Sequence, residues 1–246
     1  EYVIAYVKQL PFEVKTIYLK ELDQALNQMS YDTFSTIQES YHRFFSEHER
    51  KDLKSFVKLD GEIPQTMLSR LYKFLEPELS SDEKEAILRV IGRSETDHFL
   101  TFCRQLSEQN RYSEVIDLIK GDSDGSQPLH DFRVAGIYLE AAHKLNMNMD
   151  EISEEVVKHC PEVSILRKIK ALKGTVGSNC EAIAKHKNPE DLLTFYEEED
   201  RMKDALDLIR EPKLFYDDVI FEFYRKNHKR FPEEAETFLK RRIEED

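Results

Sequence analysis

Two stretches of the chain share the spacing Glu-x-x-His: Glu39-Ser40-Tyr41-His42 and Glu95-Thr96-Asp97-His98. On a helix, residues three apart lie on one face, so each stretch could aim a carboxylate and an imidazole at a single metal ion, as in di-iron bundles. That chemistry also needs a Glu from each of two further helices. Glu95 moreover falls in the first turn of its expected helix, where the helix dipole already accounts for it. Surface residues are the preferred reading of both pairs. Asp122-Ser123-Asp124-Gly125 opens like a calcium loop, but its Gly comes too early and no Glu closes a frame of about twelve residues, which favours a solvated linker. The sequence has no Cys-x-x-Cys pair, His-Glu-x-x-His, Gly-rich phosphate loop or Gly-x-Ser-x-Gly elbow, which closes the usual routes to a metal hydrolase, a nucleotide-phosphate enzyme and a serine hydrolase. Between Arg225 and Arg242, Lys226, His228, Lys229, Arg230, Lys240 and Arg241 alternate with Phe231 and Phe238, a combination that can grip single-stranded nucleic acid by charge and stacking. Glu233, Glu234 and Glu236 interrupt it, so a solvated helix face with both Phe side chains in the core is favoured. No catalytic, cofactor-binding or metal-binding residue is assigned, no cofactor is expected, and the partner-contact region is left open.

The elements that would position any site are helices. Charged residues make up 35% of the 246 residues, with only 7 Gly and 8 Pro, and strand-type alternation of Val, Thr and Ile is missing. The breakers fall between apolar-periodic segments, at Pro11, Gly61, Pro64, Pro77, Gly92, Gly121 to Pro128, Pro161, Gly174, Gly177, Pro189, Pro212 and Pro232, where helix boundaries belong. Gly136 is the exception. Phe99, Phe102, Cys103 and Leu106 lie at i, i+3, i+4, i+7, as do Tyr112, Val115, Ile116 and Ile119, each a single apolar stripe. The same period is read for Phe34, Ile37, Tyr41, Phe44 and Phe45, for Leu68, Leu71, Tyr72 and Leu75, and for Phe215, Val219, Ile220 and Phe223. Helix starts are expected at Ser81-Asp82, at Ser94, and at Asp150 before Ile152, Val156 and Cys160.

Leu100-Thr101-Phe102 followed by Asn110 to Lys120 returns as Leu193-Thr194-Phe195 followed by Asp200 to Arg210, with Arg111 and Arg201 standing 90 residues apart. That interval fits two or three periods of a helix-pair array, roughly 34 to 45 residues each. A fainter copy, slipped by one residue, is Arg230-Phe231-Pro232-Glu233-Glu234-Ala235. Short connections pack successive helices antiparallel. The expected fold is therefore all-α, with antiparallel helix pairs stacked as a tetratricopeptide-like α-solenoid. The expected organisation is an N-terminal helical region over 1–120, a joint or surface loop at 121–128, and a C-terminal helical-repeat region over 129–246, unless the whole is one continuous solenoid.

Asp200-Arg201-Met202-Lys203-Asp204-Ala205-Leu206-Asp207-Leu208-Ile209-Arg210 and the closing Arg230 to Ala235 resemble the tetratricopeptide-like tail of prokaryotic SWIM zinc-finger proteins, over less than half the chain. The family's Cys-x-Cys and Cys-x-His zinc ligands have no counterpart here, so none is carried over. Ala135-Gly136 matches the close-packing small pair of the tetratricopeptide consensus, which otherwise is only partly met. The resemblance implies an intracellular scaffold segment of a larger protein.

The net charge of −13 disfavours general phosphate-backbone binding by this region. No run of about 18 apolar residues occurs, so no spanning helix is expected, and the chain's start at Glu1 suggests a piece of a longer protein. Cys103, Cys160 and Cys180 read as reduced core thiols of a cytoplasmic protein. The leading expectation is a non-catalytic scaffold binding a protein or peptide. The alternatives are a regulatory region of a zinc-finger nucleic-acid-binding protein and a helical enzyme with a dispersed active site.

Overall fold

The computed structural model describes residues 2–27, 40–59, 64–92, 96–121, 128–211 and 213–245. Among these every regular element is helical and no strand occurs. The chain forms two compact units, residues 1–111 and 112–246. Residues 122–127 of the expected joint lie outside the described residues, as do Phe34, Ile37, Ser94, Glu39 and Glu95.

The first unit contains α1 (Tyr2–Val7), α2 (Phe12–Asn27), α3 (Arg50–Leu59), α4 (Gln65–Leu75), α5 (Ser81–Ile91) and α6 (Thr96–Glu108). Helices α3 and α4, α4 and α5, and α5 and α6 pack as sequential neighbours. The α5 start is capped by Ser80 and not by the expected Ser81-Asp82, which lie inside the first turn: the Ser80 hydroxyl accepts from the Glu83 amide at 3.4 Å while the Glu83 carboxylate accepts from the Ser80 amide at 2.8 Å. This reciprocal box satisfies two amides that the helix cannot bond itself. Tyr41, Phe44 and Phe45 are buried, but Tyr41–Phe44 is a 3-10 turn. Helices α4 and α1 pack on this turn.

Helix α2 buries polar as well as apolar side chains. It buries Lys15, Thr16 and Asp23 and leaves Val14 and Ile17 in water. The Lys15 ammonium bonds both Glu49 oxygens at 2.8 and 2.9 Å, and the Tyr41 hydroxyl donates to Asp23 at 3.1 Å, so the buried polar groups are satisfied.

The second unit contains α7 (Tyr112–Lys120), α8 (Phe132–Lys144), α9 (Met149–His159), α10 (Val163–Lys173), α11 (Ser178–Lys187), α12 (Pro189–Glu198), α13 (Met202–Ile209), α14 (Asp217–Asn227) and α15 (Pro232–Glu245). Here α8 packs on both α9 and α10, α9 on both α10 and α11, and α10 and α11 both on α12. Polar bonds cross the same steps: Lys168 to Glu140, Arg167 to Glu198 at 2.7 Å and Asn179 to Glu154 at 2.7 Å. Each such surface pair contributes at most about 1 kcal/mol; burial of Val134, Tyr138, Leu139, Val156, Leu166, Leu192 and Phe195 contributes more, about 1.5–3 kcal/mol per large apolar side chain.

Three helix ends share one turn. Asn110, Asn146 and Asp200 all take left-handed backbone, with φ of 59°, 53° and 54°. The following amide bonds back to the helix each time: Arg111 to the Leu106 carbonyl at 2.9 Å, Met147 to Ala142 at 3.0 Å and Arg201 to Tyr196 at 2.9 Å. Asn and Asp tolerate this conformation better than other residues with a Cβ, and the bond occupies a carbonyl that the helix end leaves open. The turn before α15 is different. There the Phe231 amide bonds the Asn227 carbonyl at 3.0 Å and no residue from 228 to 231 has positive φ.

Three local expectations are corrected. Helix α9 is capped by Asn148, whose side chain accepts from the Asp150 amide, so Asp150 lies inside the first turn and Cys160 is the C-cap. Phe215 precedes α14, which starts at Asp217. Gly136 makes no close approach, since a Cβ there would meet nothing within 4 Å. In mid-helix the residue therefore confers only backbone freedom. Gly136→Ala is expected to raise stability by about 0.5–1 kcal/mol, read as a higher urea midpoint; a lower midpoint would restore a packing role.

Candidate interaction groove

In the first unit α5 carries two apolar stripes. Leu88 and Ile91 point into the core and are fully buried. Ala86, Ile87 and Val90 lie on a second face and, with Leu68 and Leu75 of α4 and Val57 of α3, line an open groove of about 230 Å³. Its floor is deep at Leu75 and Leu79, which are buried, whereas Val90 is 49% exposed. The polar end is built from the capping box: Glu83, held by the Ser80 amide, pairs with Lys54 at 2.8 Å, and the Lys54 ammonium donates to the Glu78 carbonyl at 2.6 Å. At the other end the Gln65 side-chain amide donates to the Val90 carbonyl. The result is an apolar trough between three helices, closed by charge at one end.

A second cavity, of about 350 Å³, lies in the second unit against Phe195, Gly174, Thr175 and Ser178. Its charged groups neutralise one another: Lys170 pairs with Glu199, and Arg201 with Glu181. Arg201 binds Glu181 with both terminal nitrogens, donates through Nε to Asp204 at 2.7 Å, and lies 4.4 Å from the Tyr196 ring centre. The Tyr196 hydroxyl donates to the same Glu181 at 2.9 Å. The Glu181 hydrogen bond raises the Arg201 pKa above its ordinary value. With its cations engaged, this cavity offers a ligand less than the apolar trough does.

Arg111 does the same in the first unit. Its two terminal nitrogens bind Glu85 of α5 at 2.6 and 3.0 Å, and Arg89 adds a bond to Glu85 at 3.0 Å. The hydrogen bond from Arg111 is the largest cause that holds the Glu85 carboxyl at about 2, well below its ordinary 4.5. A depressed carboxylate stabilises the fold fully above the unfolded value and loses that contribution as pH falls towards the folded one. Arg111→Gln is therefore expected to cost about 1 kcal/mol at pH 7, with the deficit shrinking between pH 4.5 and 2. Urea titrations at several pH values check this, and a pH-independent deficit would remove Glu85 as the cause.

Of the residues singled out in the sequence as metal-ligand candidates, the described ones are His42 and His98. His42 is exposed, as expected of a surface residue, but His98 is not on the surface: it is buried edge to face on the Tyr72 ring, 5.5 Å between centres; their Glu39 and Glu95 lie outside the described residues, as does Asp122 to Gly125. His130 and His159, not anticipated, meet at 5.4 Å, yet no group of three or more His, Cys, Asp or Glu among the described residues could hold a metal ion. In the basic C-terminal stretch Phe238 is buried as expected, whereas Phe231 is half-buried and stacks on Phe223 at 6.0 Å. Arg225, Arg230, Lys240 and Arg242 pair with Glu222, Asp200, Glu236 and Asp217. All three cysteines are free and buried, and burial pushes the Cys103 and Cys160 thiols up to about 12, which keeps them unreactive. Among the described residues no helix is long and apolar enough to cross a membrane.

The trough had a signal in the sequence: Glu83, Ala86, Ile87 and Val90 stand at i, i+3, i+4, i+7 beside the core stripe. No known protein family, curated protein or solved structure matches the chain.

Proposed function

We propose that this chain is a protein-interaction module, the helical-repeat scaffold segment of a larger intracellular protein, and that its binding surface is the trough between α3, α4 and α5. The trough carries the reading. Apolar side chains left open between rigid helices, with a fixed polar end, are the form in which helical proteins receive a partner's side chains. The second unit supports the scaffold part, because a helix that packs on its neighbour and on the next but one is the local rule by which helix pairs stack into a solenoid. The shared left-handed turns at Asn110, Asn146 and Asp200 support a repeated hairpin, as the matching stripes after Arg111 and Arg201 do in sequence.

The test is selection of binders to the whole chain from a displayed random peptide library, with counter-selection on Ala86→Gln/Val90→Gln. Both positions are exposed, so the double variant should keep the parent's helix content and unfolding midpoint while filling the trough with neutral polar bulk. Recovery of peptides that bind the parent and lose at least about tenfold on the variant supports the reading. Binders indifferent to the variant, or none, would overturn it.

A further inference from the structure

Resting on that interaction reading, we infer that the trough takes a short amphipathic helix of a partner protein. This helix is apolar at i, i+3 or i+4, and i+7, and carries Lys or Arg at the end lying over the start of α5. Shape gives the first part. The α5 wall runs from Glu83 to Val90, about 10 Å or two helical turns, and Leu68 and Leu75 face it from α4 at matching seven-residue spacing. Ridges spaced in this way accept the ridges of another helix. An extended peptide has no comparable handle. It gains affinity by pairing its backbone with a sheet edge, and no strand exists among the described residues, while the α-helical walls use their backbone groups internally. A small-molecule site is disfavoured by size, since about 230 Å³ falls short of the roughly 300–1,000 Å³ of drug-sized pockets.

Charge gives the second part. From Glu76 to Glu85 the chain carries five carboxylates, Glu76, Glu78, Asp82, Glu83 and Glu85, against Lys84. Glu76 is engaged by Lys84, Glu83 by Lys54, and Glu85 by Arg111 and Arg89. The carboxylates of Glu78 and Asp82 have no cation partner among the described residues, and Asp82 is exposed at the first turn of α5. A partner's Lys or Arg meets them at the rim of the trough, where such contacts set selectivity and speed of encounter more than raw affinity. The net charge of −13 draws basic segments in the same sense.

The same selection decides the matter. The trough-dependent peptides are sequenced, and their affinity is measured by fluorescence anisotropy on the parent and on Glu78→Lys/Asp82→Lys, changes at a half-buried and an exposed residue that are not part of the trough lining. Expected are apolar residues with period three to four, Lys or Arg at one end, helical circular dichroism on binding, and roughly tenfold weaker binding to the charge-reversed variant. Trough-dependent peptides that bind extended, lack basic residues or ignore the charge reversal would overturn this inference and leave the interaction reading standing. Absence of any trough-dependent peptide removes both. Self-association in sedimentation equilibrium that disappears in Ala86→Gln/Val90→Gln would overturn it too, making the occupant a second copy of the chain.

Discussion

Phe195→Ala is expected to lower the unfolding free energy of the 112–246 unit by about 3–5 kcal/mol, the range for truncating a fully buried aromatic. Phe195 is 1% exposed and sits on α12, the helix on which α10, α11 and α13 all pack. Removing its ring forfeits the transfer energy and leaves a void that four helices would have to close together. They cannot do so cheaply, because helix backbones move as rigid bodies and each is tied to a neighbour by bonds such as Arg167 to Glu198 and the Val163 amide to Asp191 at 2.9 Å. Phe195→Leu keeps most of the volume and should lose under about 1.5 kcal/mol. Two compact units need not unfold in one transition, so the measurement is amide exchange resolved to residues 112–246, alongside urea unfolding. A loss below about 1 kcal/mol for the Ala variant would show that the α10 to α13 packing is looser than its burial implies.

Arg201→Ala is expected to cost the same unit about 2 kcal/mol, between the value of an exposed pair, up to about 1 kcal/mol, and that of a broken buried one, about 3–5 kcal/mol. The Arg201 side chain is 36% exposed and that of Glu181 17%, which argues against the upper end. It also meets Glu181, Asp204 and the Tyr196 ring at once, which argues against the lower. Arg201→Lys is informative because an ammonium cannot bond Glu181 through two nitrogens, reach Asp204 and lie over a ring together; it should recover less than half of the loss. A double-mutant cycle of Arg201→Ala with Glu181→Ala isolates the pair. Additive losses would mean that Arg201 acts through packing of its aliphatic stem alone.

Much of the local structure is legible in the chain. The stripes at Phe99, Phe102, Cys103 and Leu106 and at Tyr112, Val115, Ile116 and Ile119 lie on helices and are buried, except that Tyr112 is half-buried. Among the described residues the breakers, apart from Gly136, stand outside the α-helices or at their first turns and ends. Both kinds of signal are local, since a 3.6-residue period and a cap depend on residues within one turn. Asn148 as the true cap of α9, and Asn146 in a left-handed turn, were readable by the same rule.

What the sequence by itself determined is therefore helix content, the approximate ends of most helices, and the likeness of the Arg111 and Arg201 segments. Only the tertiary structure decided which apolar faces are covered. Ala86, Ile87 and Val90 carry the same period as Leu88 and Ile91, and α2 has Val14 and Ile17 at positions no less apolar than Leu19. Covering a face depends on neighbours far away in sequence, such as α3 and α4 leaving a trough beside α5, or Glu49 drawing Lys15 inward to a salt bridge. Periodicity specifies a face; the packing of distant helices specifies whether that face becomes core or remains open to a partner.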